Sequence, residues 1–252
     1  MEFGTFVLAA STADLGEEPA AREHADAVEF RMDLADEPLS ALEAYDGELP
    51  LVATNRAPWE GGEATDDDVT RLGALLEAAA HPAVEAIDVE LAAIQEGPIE
   101  AVVDEIEEAL DVDEAFEPAD DLVDAARDRD ATVIVSAHDF EGMPGPDGIR
   151  RILMRAAELG DVAKFAGSAA TVGDALDLLS ITHERTEAGD TVATMAMGEA
   201  GRHTRAVAPI YGSKIGYAPV DPARATAPGQ YDLATLRSLV DRLGSGRPTT
   251  ED

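Results

Sequence analysis

Lys164 and His138 are the two residues whose types and positions point most directly to chemistry. Lys164 lies within the apolar run 162–167 and is one of only two lysines among 252 residues. A buried ammonium without a partner costs roughly several kcal/mol or gives up its proton, and a neutral amine can form a Schiff base with a ketone or aldehyde. The sequence therefore predicts an uncharged, nucleophilic Lys164. The alternative is a lysine whose stem packs while its head reaches solvent.

His138 closes the apolar run 132–137, one predicted strand before Lys164. An imidazole titrates near neutral pH, so it suits the proton transfers that an amine nucleophile requires. A histidine that is only hydrogen-bonded at a strand end is the alternative. No two histidines have the spacing of metal ligands, so we expect no metal site.

Further side chains that could bind a ligand gather at the carboxyl ends of predicted strands. They are Ser11, Glu29, Arg31, Arg56, Asp88, Glu90, Asp139, Met195 and Met197. Glu29 and Arg31 are two residues apart, so they share a face of one strand and are placed to pair. Any one of these residues could be structural, but together they favour a catalytic site.

Arg205 follows a glycine-containing turn after the seventh predicted strand, where a guanidinium is suited to hold a substrate carboxylate. The turn 225–230 follows the eighth predicted strand, and its backbone amides and Gln230 are placed to close over the same ligand. A turn without a binding role is the alternative for 225–230.

Alternating apolar runs and acidic amphipathic segments predict the elements that must position these residues. The strands are predicted at 6–11, 27–33, 51–56, 86–91, 132–138, 162–167, 191–198 and 209–217, and the helices at 66–80, 98–110, 120–129, 147–159, 171–187 and 232–243. Such an alternation favours a (β/α)₈ TIM barrel, an α/β fold, as one domain over 1–243 with a flexible tail at 244–252. No glycine-rich nucleotide loop is present, and the 91–131 crossover is unusually long.

The charge of the chain limits its environment and partners. A formal net charge of -35 and a pI near 4.1 disfavour nucleic acid and anionic membranes as partners. Abundant carboxylates with few lysines favour a halophilic source, since concentrated salt screens their repulsion. The absence of cysteine excludes disulfides and thiolate sites, and the lack of a leader or long apolar segment predicts a cytoplasmic protein.

Several of these stretches, in order along most of the chain, resemble type I 3-dehydroquinate dehydratases. The matching segments are Glu29-Phe30-Arg31-Met32-Asp33, Arg56 with Glu60-Gly61-Gly62, Asp88-Val89-Glu90-Leu91, Ser136-Ala137-His138-Asp139-Phe140, Ala163-Lys164-Phe165-Ala166, Met195-Ala196-Met197-Gly198, Thr204-Arg205, Tyr211-Gly212-Ser213 and Ala227-Pro228-Gly229-Gln230. The resemblance implies a cofactor-free, commonly dimeric barrel that converts 3-dehydroquinate to 3-dehydroshikimate and water.

The resemblance also implies roles for individual residues. Lys164 attacks the C3 ketone, His138 carries the C2 proton to the departing C1 hydroxyl, and Glu60 orients the imidazole. Substrate contacts are implied for Ser11, Glu29, Arg31, Arg56, Asp88, Met195, Met197, Arg205, Tyr217, Thr226 and Gln230. Within this set, Met195, Met197 and Tyr217 form an apolar wall, while Asp88 also helps to tune the imidazole.

Three positions depart from the family pattern: Ala137, Gly216 and Thr226. None removes an implied catalytic group, and Thr226 keeps the hydroxyl of the usual serine. Another Schiff-base barrel such as an aldolase and a catalytically inactive metabolite-binding barrel are the alternative functions.

Overall fold

The computed structural model describes residues 1–96, 118–225 and 227–244. The helix predicted at 98–110 lies outside these ranges. So does the flexible tail predicted for 244–252, apart from Gly244.

Eight parallel strands form the central sheet: β1 (Val7–Thr12), β2 (Ala27–Arg31), β3 (Leu51–Thr54), β4 (Val84–Glu90), β5 (Thr132–Asp139), β6 (Val162–Ser168), β7 (Val192–Met197) and β8 (Ile215–Pro219). Their order is β7-β6-β5-β4-β3-β2-β1-β8. The two end strands approach each other, and the amide of Lys214 donates to the carbonyl of Val192 at 2.8 Å. The sheet is therefore a nearly closed barrel, and the predicted (β/α)₈ fold is confirmed.

The helices within the described ranges connect these strands. They are α1 (Glu18–Ala21), α2 (Pro38–Glu43), α3 (Asp68–Ala79), α4 (Leu91–Glu96), α5 (Pro118–Arg127), α6 (Pro146–Leu159), α7 (Val172–Glu187), α8 (Gly198–Gly201), α9 (Thr204–Val207) and α10 (Leu233–Arg242). Short 3₁₀ turns lie at Leu15–Glu17, Met32–Leu34, Pro58–Glu60, Ala208–Tyr211 and Pro222–Arg224.

Side-chain caps set the starts of α3 and α7. Thr171 begins α7 with a capping box, in which its hydroxyl accepts from the amide of Asp174 and the carboxylate of Asp174 accepts from the amide of Thr171. At α3 the cap is Asp67, which accepts from the amide of Thr70 at 2.9 Å. Asp67 has an extended backbone beside the free amides, so α3 begins at Asp68 and not at 66 as predicted.

Apolar side chains occupy two layers. Inside the barrel, residues such as Ala9, Val52 and Ile134 pack together below the strand ends. A larger layer between strands and helices includes Phe30, Leu75 and Leu153. Both faces of the strands are therefore buried, which is why their sequences read as continuous apolar runs.

The strand predicted at 209–217 is wrong over its first half. Residues Ala208–Tyr211 form a 3₁₀ turn that ends at Gly212, whose φ of +106° is left-handed, and β8 begins only at Ile215. Pro209 cannot donate to a sheet, but it fits the first turn of a helix. Tyr217 consequently lies in the middle of β8.

Candidate active site

A single pocket at the carboxyl ends of the strands contains most of the predicted site residues. Its lining comprises Glu29, Arg31, Thr54, Arg56, Glu60, Gly61, His138, Phe140, Lys164, Ala166, Met195, Met197, Arg205, Tyr217, Ala227 and Gln230. Two further predicted residues, Ser11 and Asp88, lie directly behind this lining and contact it. Thr226 lies outside the described residues.

Lys164 is buried on β6, with 3% of its surface exposed, and its Nζ lies 2.7 Å from Oδ2 of Asp88. The same nitrogen lies 4.3 Å from the centre of the Tyr217 ring. The expectation of a buried amine without a partner is therefore wrong, because the Asp88 carboxylate lies within hydrogen-bonding distance of it. The amine still lines the pocket, so its head does not reach bulk solvent.

Asp88 connects Lys164 to the rest of the site. Its Oδ1 accepts from Nη2 of Arg56 at 2.5 Å and from the hydroxyl of Ser136 at 2.6 Å. Burial alone would raise the pKa of Asp88, but the charges of Arg56 and Lys164 outweigh it and hold that pKa well below its usual range. Asp88 is thus an anion at neutral pH. It makes no hydrogen bond to His138, but its charge raises the pKa of that imidazole against the larger effects that lower it, as expected of a tuning residue.

Glu60 holds His138 in place through two contacts. One oxygen accepts from the backbone amide of His138 at 3.0 Å, and the other lies 3.3 Å from Nδ1. Burial raises the pKa of Glu60 to about 7, although the charge of Arg56 opposes this. Burial, followed by the charges of Arg56 and Lys164, lowers the pKa of His138 well below 6.5. The imidazole is therefore neutral, and a proton on Nδ1 shared with Glu60 leaves Nε2 as a base.

Glu29 and Arg31 face the pocket together, as their spacing predicts, but they do not pair. Arg31 makes a bidentate pair with Asp33 at 2.6 and 2.8 Å. Glu29 accepts from the hydroxyls of Ser11 at 2.5 Å and Thr54 at 3.3 Å. The 3₁₀ turn after β2 brings Asp33 back to Arg31. The Glu29 carboxylate is therefore not bonded to Arg31 and lines the pocket.

Arg205 is a buried cation without a carboxylate partner among the described side chains. Its Nη2 donates to the carbonyl of Pro228 at 3.2 Å, and its Nε has no hydrogen-bond partner. Burial lowers the pKa of Arg205 to about 10, so the group remains charged at neutral pH. A buried guanidinium that lacks a carboxylate partner favours the binding of an anion.

The turn after β8 lies beside Arg205. Gly229 has a φ of +78°, and a Cβ there would overlap the backbone of Gly198, so this close approach requires glycine. The Oε1 of Gln230 accepts from the amide of Ala227 at 3.3 Å. Arg205 and Gln230 therefore line the same pocket, and their binding of one ligand stays a prediction.

Sequence reasoning did not identify Thr54, Gly61, Phe140 and Ala166 as lining residues, whereas Ala227 belongs to the predicted turn 225–230. Alternation along β3 could have identified Thr54, since it lies two residues before Arg56. Phe140 stacks near His138 with ring centres 6.3 Å apart, and Gly61 packs against its ring. No periodic pattern marks Gly61 and Phe140, because their positions in loops depend on tertiary contacts.

Neither a metal cluster nor a spanning helix is found in the part of the chain that the structure describes. No group of three or more His, Asp or Glu side chains there could hold a metal ion. None of the helices in those ranges is long and apolar enough to cross a membrane.

Comparisons with known proteins give a consistent result. A family model described as type I 3-dehydroquinase matches residues 7–246. A 3-dehydroquinate dehydratase from Haloarcula marismortui is 56% identical, with 97% of this chain and 99% of the relative covered. One from Halobacterium salinarum is 51% identical, with 96% and 100% covered. These haloarchaeal relatives confirm the predicted halophilic source.

Solved structures show the same fold. The crystal structure of 3-dehydroquinate dehydratase from Geobacillus kaustophilus has a TM-score of 0.78 at 23% identity, covering 96% of this chain and 92% of that one. Type I 3-dehydroquinate dehydratase from Clostridium difficile has a TM-score of 0.75 at 25% identity, covering 95% and 92%.

Proposed function

The chain belongs to the type I 3-dehydroquinase family, and from this premise we propose that it dehydrates 3-dehydroquinate through a Schiff base on Lys164. The observation that carries the proposal is the presence in one pocket of Lys164, the His138–Glu60 pair and Arg205, which has no carboxylate partner among the described side chains. These groups supply an amine, a base and a carboxylate site, which are the three functions that this elimination requires.

The reaction begins when Lys164 loses its proton and attacks the C3 ketone. Asp88 cannot be the proton acceptor, because its pKa is held far below neutrality by Arg56 and Lys164 despite its burial. Neutral His138 accepts that proton and the amine adds to C3. The imidazole then carries this proton and a second one from the nitrogen to the C3 oxygen, which leaves as water when the protonated imine forms. Asp88 remains an anion throughout and stabilises the positive charge of the protonated imine.

Elimination then takes place across C1 and C2. The iminium makes a C2 proton acidic, and Nε2 of His138 removes it to give an enamine. The resulting imidazolium, stabilised by Glu60 once that carboxyl group is ionised, protonates the C1 hydroxyl as it departs as water. Hydrolysis of the imine consumes one water and releases 3-dehydroshikimate, so the net reaction loses one water.

Substrate groups are assigned by charge and position. Arg205 and Gln230, together with the predicted Thr226, bind the carboxylate. Glu29, with Ser11 behind it, and Arg31 bind ring hydroxyls. Arg56 contacts Asp88, Glu60 and Ser136, so its main effect is electrostatic. Met195 and Met197 cover the apolar face of the ring.

The test uses both lysines of the chain. Wild-type protein in high salt is mixed with 3-dehydroquinate, and the absorbance of the conjugated product is followed. Borohydride added during turnover should then attach the ligand to Lys164. Lys164→Met should lose turnover and labelling, whereas Lys214→Met should keep both, since the Lys214 Nζ donates to the Gly4 carbonyl at the protein surface. Turnover without labelling in folded protein would refute the Schiff base.

The resemblance also supports a cytoplasmic homodimer that needs no cofactor, and we include these in the proposal. Light scattering in high salt tests the dimer, and turnover after exhaustive dialysis against a chelator tests the cofactor requirement. No specific feature of the pocket favours the aldolase alternative. A carbon-carbon cleavage assay with phosphorylated aldehydes should therefore give no product.

A further inference from the structure

Tyr217 carries a hydroxyl that its predicted role does not use. The residue lies opposite Ala9 in the sheet, in the middle of β8, and its ring lines the pocket with only 4% of the residue exposed. Its hydroxyl oxygen has no hydrogen-bond partner among the described residues. An apolar wall needs the ring alone, as does the contact with the Lys164 ammonium.

Three other hydroxyls beside this pocket, all in the described part of the chain, are bonded to carboxylates. Ser11 and Thr54 donate to Glu29, and Ser136 donates to Asp88. A buried hydroxyl without a partner destabilises a folded protein, and phenylalanine would fill the same space without that penalty. The contrast indicates that the Tyr217 hydroxyl acquires its partner when a ligand is bound.

The surroundings of the hydroxyl define the chemistry of that partner. Burial, followed by the charges of Asp88 and Glu29, raises the pKa of Tyr217 well above 10. The hydroxyl therefore stays protonated and acts as a donor. A ligand hydroxyl is suited to this place, because it can donate to the Glu29 carboxylate and accept from the tyrosine at the same time.

We propose that Tyr217 is a positioning and specificity residue whose hydroxyl donates to the substrate hydroxyl on C4, the ring carbon next to the imine carbon. This rests on the proposed function, since the substrate becomes attached to the Lys164 Nζ, 4.3 Å from the tyrosine ring centre. C4 is bonded to C3, so its hydroxyl is held close to the imine in the pocket that Tyr217 and Glu29 also line. Tyr217 and Glu29 together then select a substrate that carries this hydroxyl.

The test is Tyr217→Phe, measured for both stability and turnover. Without ligand, the variant should unfold at the same temperature as the wild type or higher, because it loses an unpaired buried hydroxyl. Its kcat/KM should fall by about tenfold or more, because the substrate hydroxyl loses a donor. Borohydride should still label Lys164, so the proposed function remains separately measurable.

Two comparisons sharpen the result. On the wild type, a substrate analogue without the C4 hydroxyl should show a similar loss of kcat/KM, whereas Tyr217→Phe should add little further loss. As a matched control, Tyr45→Phe removes a hydroxyl that donates to the carbonyl of Leu49 at 2.6 Å, so it should lower stability and leave turnover unchanged.

Either of two outcomes would overturn the assignment. Unchanged kcat/KM in Tyr217→Phe would show that the hydroxyl does not contact the substrate. Lower stability of the ligand-free variant, with additive losses for variant and analogue, would show a structural hydroxyl that acts independently of C4.

Discussion

Replacing either member of the Lys164–Asp88 pair should have unequal effects on stability. In Lys164→Met, Asp88 loses one contact but keeps Nη2 of Arg56 at 2.5 Å and Ser136 at 2.6 Å. The loss is one hydrogen bond to a charged group, about 1.5–3 kcal/mol, reduced by the packing of the methionine. In Asp88→Asn, the ammonium keeps no carboxylate, so we expect a loss of about 3–5 kcal/mol.

The assay is urea unfolding in concentrated salt at pH 7. Asp88→Asn should be the less stable variant by about 2 kcal/mol, which corresponds to roughly 4–8 °C in Tm for a chain of this size. The double variant should lose less than the sum of the two single losses, since the residues are in contact. Glu158→Gln, which alters an exposed ion pair with Arg155, is the control and should cost less than about 1 kcal/mol. Equal losses in the two site variants, or strict additivity, would refute the central place given to Asp88.

Variants at three further positions test other contacts. Glu60→Gln should remove an acid limb near pH 7 from kcat/KM, because burial raises the pKa of Glu60 to about 7 and only its carboxylate supports an imidazolium. The stability contributed by Glu60 is fully present below its unfolded pKa of 4.5 and is lost as the pH rises through 7. At pH 8 the free energy of unfolding of Glu60→Gln, measured in urea, should therefore exceed that of the wild type by up to about 3 kcal/mol. An unchanged pH profile and an unchanged stability would contradict this. Gly61→Ala should lower kcat by about tenfold, since φ is +80° and a Cβ would overlap the ring of Phe140; wild-type kinetics would show that the ring moves without consequence. Arg71→Met should lower the free energy of unfolding in urea by about 3–5 kcal/mol, because the buried Glu90 carboxylate loses the Arg71 guanidinium, which lies 3.0 Å away. Arg71→Lys should restore part of this loss if the charge of Arg71, rather than its packing, is responsible.

Much of the fold is predictable because the signals for strands are local. Runs such as 132–138 and 162–167 are apolar on both faces, and that pattern alone predicts buried parallel strands. The region 209–217 failed because an apolar run cannot distinguish a strand from a helical turn. Pro209 and Gly212 contained the missing information, since one starts a turn and the other ends it.

The location of the site was also predictable, but its pairings were not. Residues at strand ends meet in one pocket because the strands of a barrel all point the same way. Which carboxylate contacts which cation depends on side-chain reach and on loop paths. Asp88 and Lys164 are 76 positions apart, and Arg31 takes Asp33 instead of Glu29 because a 3₁₀ turn folds back beside it.

Charge acts differently at the surface of this chain and in its pocket. The net charge of -35 repels an anionic substrate, but at about 1 M salt the Debye length is only about 3 Å, so this repulsion does not extend into solution. Arg205 is buried, where salt screens poorly, and it has no carboxylate partner among the described side chains. Its attraction for a carboxylate therefore acts only after the substrate has entered the pocket. Under the proposed function, charge therefore selects the ligand at contact and does not steer it from a distance.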